Sequence, residues 1–211
     1  MVFRSVLLLV MVSWATGALA MDVCETPRTD VLGSVVRVVG DGVEGSAVVV
    51  ADGRVITAAH VIDDVADIQI NFDGIHRPAR VLSIFPDRDV ALLAVDTRYA
   101  RPIALLDRLP YIDETVWAVG YPLGGNQIAS SGRFKEEVRG DLHSSASVNH
   151  GQSGGALLVC ENGRYAVAGM ITAFGAVRRG DDLVRLDDYS VSLSVDEIRY
   201  FLTSSQLIAR R

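Results

Sequence analysis

An all-β fold follows from the spacing of short β-rich runs between residues 31 and 195, each broken within a few residues by Gly, Asp, Asn or Pro. Asp52-Gly53 stands between two of these runs and is a dipeptide that two-residue hairpin turns favour. A helical period of any length occurs in one place, at the C-terminus. Regular short runs with so little helix point to sandwiches or barrels.

The elements run in this order. Residues 1–20 read as a secretory signal. Arg4 supplies a positive charge, residues 6–12 are uniformly apolar, and Ala18-Leu19-Ala20 has the small-x-small cleavage pattern. The apolar stretch is too short for the roughly 20 residues of a membrane span. An N-terminal arm over 21–30 follows. Strands are expected at 31–39, 45–50, 55–58, 68–72, 79–84, 90–95, 115–121, 156–160 and 166–172, with a short helical turn over 61–65. Asp73 to Pro78 reads as an exposed turn. At the end of the chain, Ser194 and Glu197 have capping-box spacing. Ile198, Phe201 and Leu202, with Leu207 and Ile208 further along, give that helix an apolar face to lay on a barrel.

Composition narrows the function. The chain of 211 residues has a formal net charge of −6, and loss of the signal removes Arg4 and no acid, giving −7. Lys135 is the only lysine, and the arginines are scattered. Such a chain is not expected to bind nucleic acid or an anionic membrane surface. No cluster of His, Cys, Asp and Glu has metal-ligand spacing, so neither metal nor other cofactor is expected. Cys24 and Cys160 form an even pair, which in an exported protein favours a disulfide; two free buried thiols are the alternative.

One constellation carries chemistry. Ser153 lies in Gly151-Gln152-Ser153-Gly154-Gly155, where flanking glycines permit a tight turn and close substrate approach. The N–H groups of Gly151 and Ser153 are candidates for an oxyanion hole. The same residues satisfy the G-x-S-x-G pattern of an α/β-hydrolase, but that fold places its histidine after the serine. Here His60, His76, His143 and His150 all precede it. His60 ends a small apolar strand, a setting suited to a general base; His76 falls in the expected turn, and His150 is a candidate for lining the substrate cleft. Asp63, Asp64, Asp67, Asp87, Asp89 and Asp96 are available to orient the imidazole. Asp89 opens the apolar run over 90–95, which would hold its carboxylate partly buried, with Asp87 the runner-up.

With these residues in view, the chain resembles the trypsin-like serine peptidases of the two-barrel fold, most closely the protease domain of the bacterial HtrA/Deg group. Ile56-Thr57-Ala58-Ala59-His60-Val61, Asp89-Val90-Ala91-Leu92-Leu93, Ala118-Val119-Gly120-Tyr121-Pro122-Leu123-Gly124 and residues 149–157 carry the resemblance. It implies two six-stranded Greek-key β-barrels, over 31–108 and 109–193, with a short C-terminal helix over 194–211. His60 and Asp89 would come from the first barrel, and Ser153 and the oxyanion donors from the second. It also implies a specificity pocket based at Ser147 and walled by Met170-Ile171-Thr172-Ala173, with the edge at Ile171, Thr172 and Ala173 open to a substrate strand.

Three departures matter. Only about 20 residues follow the last strand, so PDZ-driven regulation is not carried over. Gln152 stands where digestive relatives have the aspartate that pairs with a newly cut N-terminus. Asn149-His150-Gly151-Gln152 replaces the group's usual Asn-Pro-Gly-Asn. The resulting expectation is an exported serine endopeptidase, periplasmic or secreted, that acts on protein or peptide through an acyl-enzyme as a single chain. Its rival is a catalytically idle or latent binding protein on the same scaffold.

Overall fold

A computed structural model describes residues 24–209; the expected signal lies outside them, as do the side chains of Leu207 and Ile208. The N-terminal half is one curled antiparallel sheet of seven strands: β1 (Val35–Gly40), β2 (Val43–Ala51), β3 (Arg54–Thr57), β4 (Gln69–Phe72), β5 (Ile75–Pro78), β6 (Arg80–Phe85) and β7 (Val90–Ala94). Their order is β5-β4-β1-β2-β3-β7-β6. The C-terminal half closes into a six-stranded barrel in the order β10-β13-β12-β11-β8-β9. Its strands are β8 (Thr115–Gly120), β9 (Ile128–Val138), β10 (Asp141–Ser144), β11 (Ala156–Glu161), β12 (Arg164–Arg179) and β13 (Asp182–Ser194). The molecule is therefore all-β, with a short C-terminal helix.

The first half has seven strands where six were expected, because residues 75–78 form a strand. Asp73 and Gly74 make the turn with φ of +50° and +89°, and His76 then pairs with Asn71 across β4 and β5. Residues 31 and 32 also differ from expectation. They end a single helical turn, α1 (Thr29–Leu32), with the Gly33 N–H bonding back to the Thr29 carbonyl.

Strands in the middle of the molecule read as unbroken apolar runs because both of their faces are buried. On β11, Leu157 and Val159 point into the second barrel, while Ala156 and Leu158 join the larger core that extends across the first sheet. On β8, Val116 and Ala118 face the barrel interior, and Trp117 and Val119 face the first sheet. One layer of strands thus serves two cores, which fixes how the halves sit on each other.

The helix α2 (Val195–Ala209) completes that shared core. Ile198 and Phe201 are fully buried in it, and the Phe201 ring lies 5.2 Å from Phe85 at the end of β6. Its expected capping box is half made. The Glu197 N–H donates to Ser194 Oγ at 3.4 Å, but the Glu197 carboxylate accepts from Arg88 at 3.2 Å, tying the helix to the turn before β7.

The N-terminal arm is held by a Cys24–Cys160 disulfide onto β11, with Cα atoms 5.7 Å apart and a sequence separation of 136. A loop of that length corresponds to about 5 kcal/mol in the chain-entropy model. Replacing Cys24 and Cys160 together by Ser should lower unfolding stability by about 2–5 kcal/mol in urea or thermal melts without changing the strand content. A loss within error would mean that the arm contributes little to stability.

Candidate active site

The residues that hold the site together sit where the two halves meet. Ser46, fully buried on β2, uses every polar group it has. Its N–H donates to the Ser153 carbonyl at 2.9 Å, and its hydroxyl donates to the Gly151 carbonyl at 2.8 Å. The same hydroxyl oxygen accepts from the Tyr121 N–H at 2.9 Å, and the Ser46 carbonyl accepts from Thr57 Oγ1 at 2.7 Å. A residue of the first sheet thereby fixes both ends of the Gly151–Ser153 segment from the second. Sequence reasoning passed over Ser46 as part of the strand expected over 45–50; the available signal was a serine beginning an otherwise apolar run.

The glycines answer to the same junction. A Cβ on Gly154 (φ +83°) would overlap Ser46 O and Thr57 Oγ1 and come within 3.0 Å of the Ala58 N–H nitrogen. The peptide after Ser153 therefore lies directly against the strand end that leads to His60. Gly151 has φ +88°, and a Cβ there would meet Tyr121 O at 2.5 Å.

His60 occupies a 3-10 turn over Ala59–Val61, starting two residues and ending four residues earlier than the helical turn expected over 61–65, anchored by buried Val61 and Ile62. Asp89 grips it at two points. The His60 N–H donates to Asp89 Oδ1 at 2.9 Å, and the ring Nδ1 bonds Asp89 Oδ2 at 2.8 Å. The Ala59 N–H donates to the Asp89 carbonyl at 3.1 Å as well. Asp89 reaches this position from a left-handed conformation (φ +50°) that Asp tolerates better than most residues. It is half-buried, whereas Asp87 is exposed and has no bond to His60. The ring bond makes Nδ1 the protonated nitrogen of the neutral form, leaving Nε2 the unprotonated nitrogen, able to accept. The imidazole pKa is raised above its ordinary 6.5, chiefly by the hydrogen bond to Asp89, against a smaller lowering by burial and with added attraction from the Asp89 charge.

Two N–H groups stand free beside Ser153. The His150 carbonyl accepts from the Leu123 N–H at 2.8 Å, so the Gly151 N–H on the same peptide plane points the opposite way. Among the described residues, neither the Gly151 nor the Ser153 N–H is used in a hydrogen bond, while the Gln152, Gly154 and Gly155 N–H groups all are. The loop that lacks the group's usual Pro is held instead by Leu123 and by the Gln152 side chain, whose Oε1 accepts from the Asn149 N–H at 2.8 Å.

The remaining candidates fall in different places. The exposed His150 ring packs edge-on against Phe174 at 4.9 Å, beside the Thr172–Ala173 stretch of β12. That stretch pairs with β13 on one side, and β11 pairing ends at Met170, so its other edge is open. Ile171 does not face the cleft. It is 1% exposed, and its carbonyl and N–H bond the Gly154 N–H and the Gly155 carbonyl. Its position is a support for the Ser153 loop, because the strand turns at that point from pairing with β11 to holding the glycines. Ser147 lines a cavity with Leu123, Gln152 and Arg185, and none of His150, Ile171, Thr172 and Ala173 shares it. His143 bonds Tyr189 Oη at 2.8 Å, and His76 stands exposed on β5, so neither joins the group. Among the described residues no three His, Cys, Asp or Glu side chains gather as a metal site.

Residues 45–170 match a family described as "Trypsin-like peptidase domain". The chain belongs to the trypsin-like peptidase family. Curated relatives include "Protease Do-like 2, chloroplastic" of Arabidopsis thaliana, 34% identical over 128 residues, covering 53% of this chain and 21% of that protein. The "Periplasmic serine endoprotease DegP" of Salmonella typhimurium is 32% identical over 129 residues, covering 54% and 27%. The chain thus spans about a quarter of the length of these relatives. Among solved structures, the active form of the Rv3671c protease of Mycobacterium tuberculosis has a TM-score of 0.72 at 26% identity, covering 82% of this chain and 81% of that one. The serine endoprotease of Yersinia pestis shares the fold, with a TM-score of 0.71 at 23% identity. The matched part of the chain is thus similar to a stretch of Do-like and DegP proteases.

Two measurements probe the site. In an NMR titration, His60 should titrate above 6.5 and drop in Asp89→Asn, which removes the raising contacts and leaves the burial that lowers it. Ser46→Ala should cost about 2–3 kcal/mol in a denaturant melt, since it leaves the Gly151 carbonyl and the Tyr121 N–H unpaired in the interior.

Proposed function

We propose that this trypsin-like domain is an exported serine endopeptidase that hydrolyses peptide bonds through Ser153, His60 and Asp89. The observation that carries the proposal is the two-point grip of Asp89 on His60, which sets both the ring's tautomer and its position. A ring so held has one nitrogen to offer, and the glycine junction brings the Ser153 loop against the strand end that bears it.

The steps follow from that arrangement. Ser153 Oγ attacks the substrate carbonyl carbon while His60 Nε2 takes its proton; the imidazolium formed is stabilised by ionised Asp89. Negative charge passes to the carbonyl oxygen, which the Gly151 and Ser153 N–H groups receive. His60 returns the proton to the leaving amine as the C–N bond breaks, producing an acyl-enzyme. Water then attacks the ester with His60 again as base, releasing the acid and restoring the hydroxyl. The open edge at Thr172 and Ala173, with His150 beside it, is suited to pair with a substrate strand.

Export is supported by the signal-like sequence over 1–20 and by the disulfide, and a periplasmic or secreted location by the name of the DegP relative. The proposed division into an arm, two barrel units (31–108 and 109–193) and a C-terminal helix draws support from one curled sheet, one closed barrel and α2.

A fluorophosphonate probe should label the mature protein, and Ser153→Ala should abolish the label while leaving the melting curve unchanged. Absence of labelling under any condition would favour an idle binding protein. On a peptide substrate, Asp89→Asn should lower kcat by about 10,000-fold and Asp87→Asn by far less. A larger loss at position 87 would overturn the assignment. Wild-type kcat/KM should rise with pH through a limb above 6.5, where His60 loses its proton.

A further inference from the structure

A cavity of about 550 Å³ is lined by Asn149 and Gln152 of the Ser153 loop, but not by His150 or the Thr172–Ala173 edge. Gln152 is one of its lining residues, and Leu123 and Ile128 supply exposed apolar side chains to it. Gln152 is 2% exposed, and its amide nitrogen is buried with no hydrogen-bond partner. The orientation of the amide is set, because Oε1 accepts from the Asn149 N–H and a flip would turn two donors on each other. A buried donor without an acceptor is a standing cost that an incoming oxygen would remove. Arg185 is the one charged side chain lining the cavity; its guanidinium donates to the Val148 carbonyl at 3.1 Å and ion-pairs with exposed Asp187, which lies outside the lining and would have to yield to an entering carboxylate. The donor, the cation and the apolar rim together fit a carboxylate attached to an aliphatic body.

We propose that this cavity binds the C-terminal carboxylate of a peptide ending in an apolar residue, and that occupancy acts on the oxyanion loop. The proposal rests on the peptidase reading, since peptide-bond hydrolysis releases such carboxylates; the cavity would then sense product. The coupling is short. Gln152 lies between the two N–H donors, and its side chain holds the loop at Asn149. Leu123, at the rim, holds the His150 carbonyl with its own N–H and does so from a left-handed conformation (φ +53°) that Leu rarely adopts. The Gln152 nitrogen is closed off from solvent, so a ligand oxygen reaches it only if the floor shifts, and that floor is the loop itself.

The test uses full-length mature Ser153→Ala protein, which cannot cleave the probe, and follows 1H–15N shifts during titration with acetyl-Ala-Ala-Leu. Saturable shifts of the Gln152 side-chain amide together with the Gly151 and Leu123 N–H groups are expected. Affinity should fall at least about tenfold when the probe carries a C-terminal amide. It should fall likewise in Arg185→Gln, and in Gln152→Leu as a second variant that removes the donor. 4-Methylpentanoate should shift the same groups more weakly, lacking the peptide's main chain. Shifts confined to Thr172–Phe174 would overturn the proposal, as would equal binding of acid and amide, or no shift at all (a buried water on Gln152). Failure of the peptidase reading would show separately, as a wild-type protein that takes no fluorophosphonate label yet still binds the probe.

Discussion

The organisation of this domain depends on a buried serine at the seam between two sheets. Ser46 lies on a strand of the first sheet, yet two of its hydrogen bonds end on the carbonyls of Ser153 and Gly151. A fully buried hydroxyl and peptide group are tolerated only when satisfied, and here the partners come from both halves. The two sheets cannot slide on each other without orphaning these groups. The loop that presents Ser153 is consequently held in register with the strand that presents His60.

The shared core works toward the same end. β8 and β11 bury both faces, one inside the barrel and one against the first sheet, so the halves are not independent bodies joined at a cleft. The C-terminal helix closes the far side through Ile198 and Phe201. It also reaches the turn that carries Asp89, since Glu197 holds Arg88, the residue immediately before it. A helix with no part in the proposed chemistry thus braces the turn that carries Asp89, the carboxylate bonded to the His60 ring.

The loop's departure from the HtrA pattern has a physical answer. Where the group's proline would stiffen the chain, this protein relies on hydrogen bonds: Leu123 to His150, and Gln152 to Asn149. Hydrogen bonds can be exchanged, whereas a proline ring cannot. The Gly151 and Ser153 N–H groups, unbonded among the described residues, therefore belong to a loop held by exchangeable bonds, with the unpaired Gln152 nitrogen among them.

Much of this was legible in the chain itself. The β class, the hairpin at Asp52-Gly53, the apolar strands through the middle and the order His60, Asp89, Ser153 are local or linear properties, written in periodicity and spacing. Strands β9 and β10 were not legible, because β9 is largely exposed and polar and β10 has four residues with one apolar side chain. Strand β13 alternates from Tyr189 to Ser194, but serines make up one of its buried faces, so no apolar stripe marked it as core-facing. His76 was read as turn because Asp73-Gly74 and Pro78 bracket it, yet pairing with β4 outweighed that local signal. What only the tertiary structure decided is which groups meet. It gave Asp89, rather than Asp87, both bonds to His60. It turned Ile171 inward and separated Ser147 from the β12 edge. It also made Ser46 and Gln152 central. The reason is the same in each case: hydrogen bonding between distant segments is set by the closing of the two sheets, and no spacing along one strand encodes it.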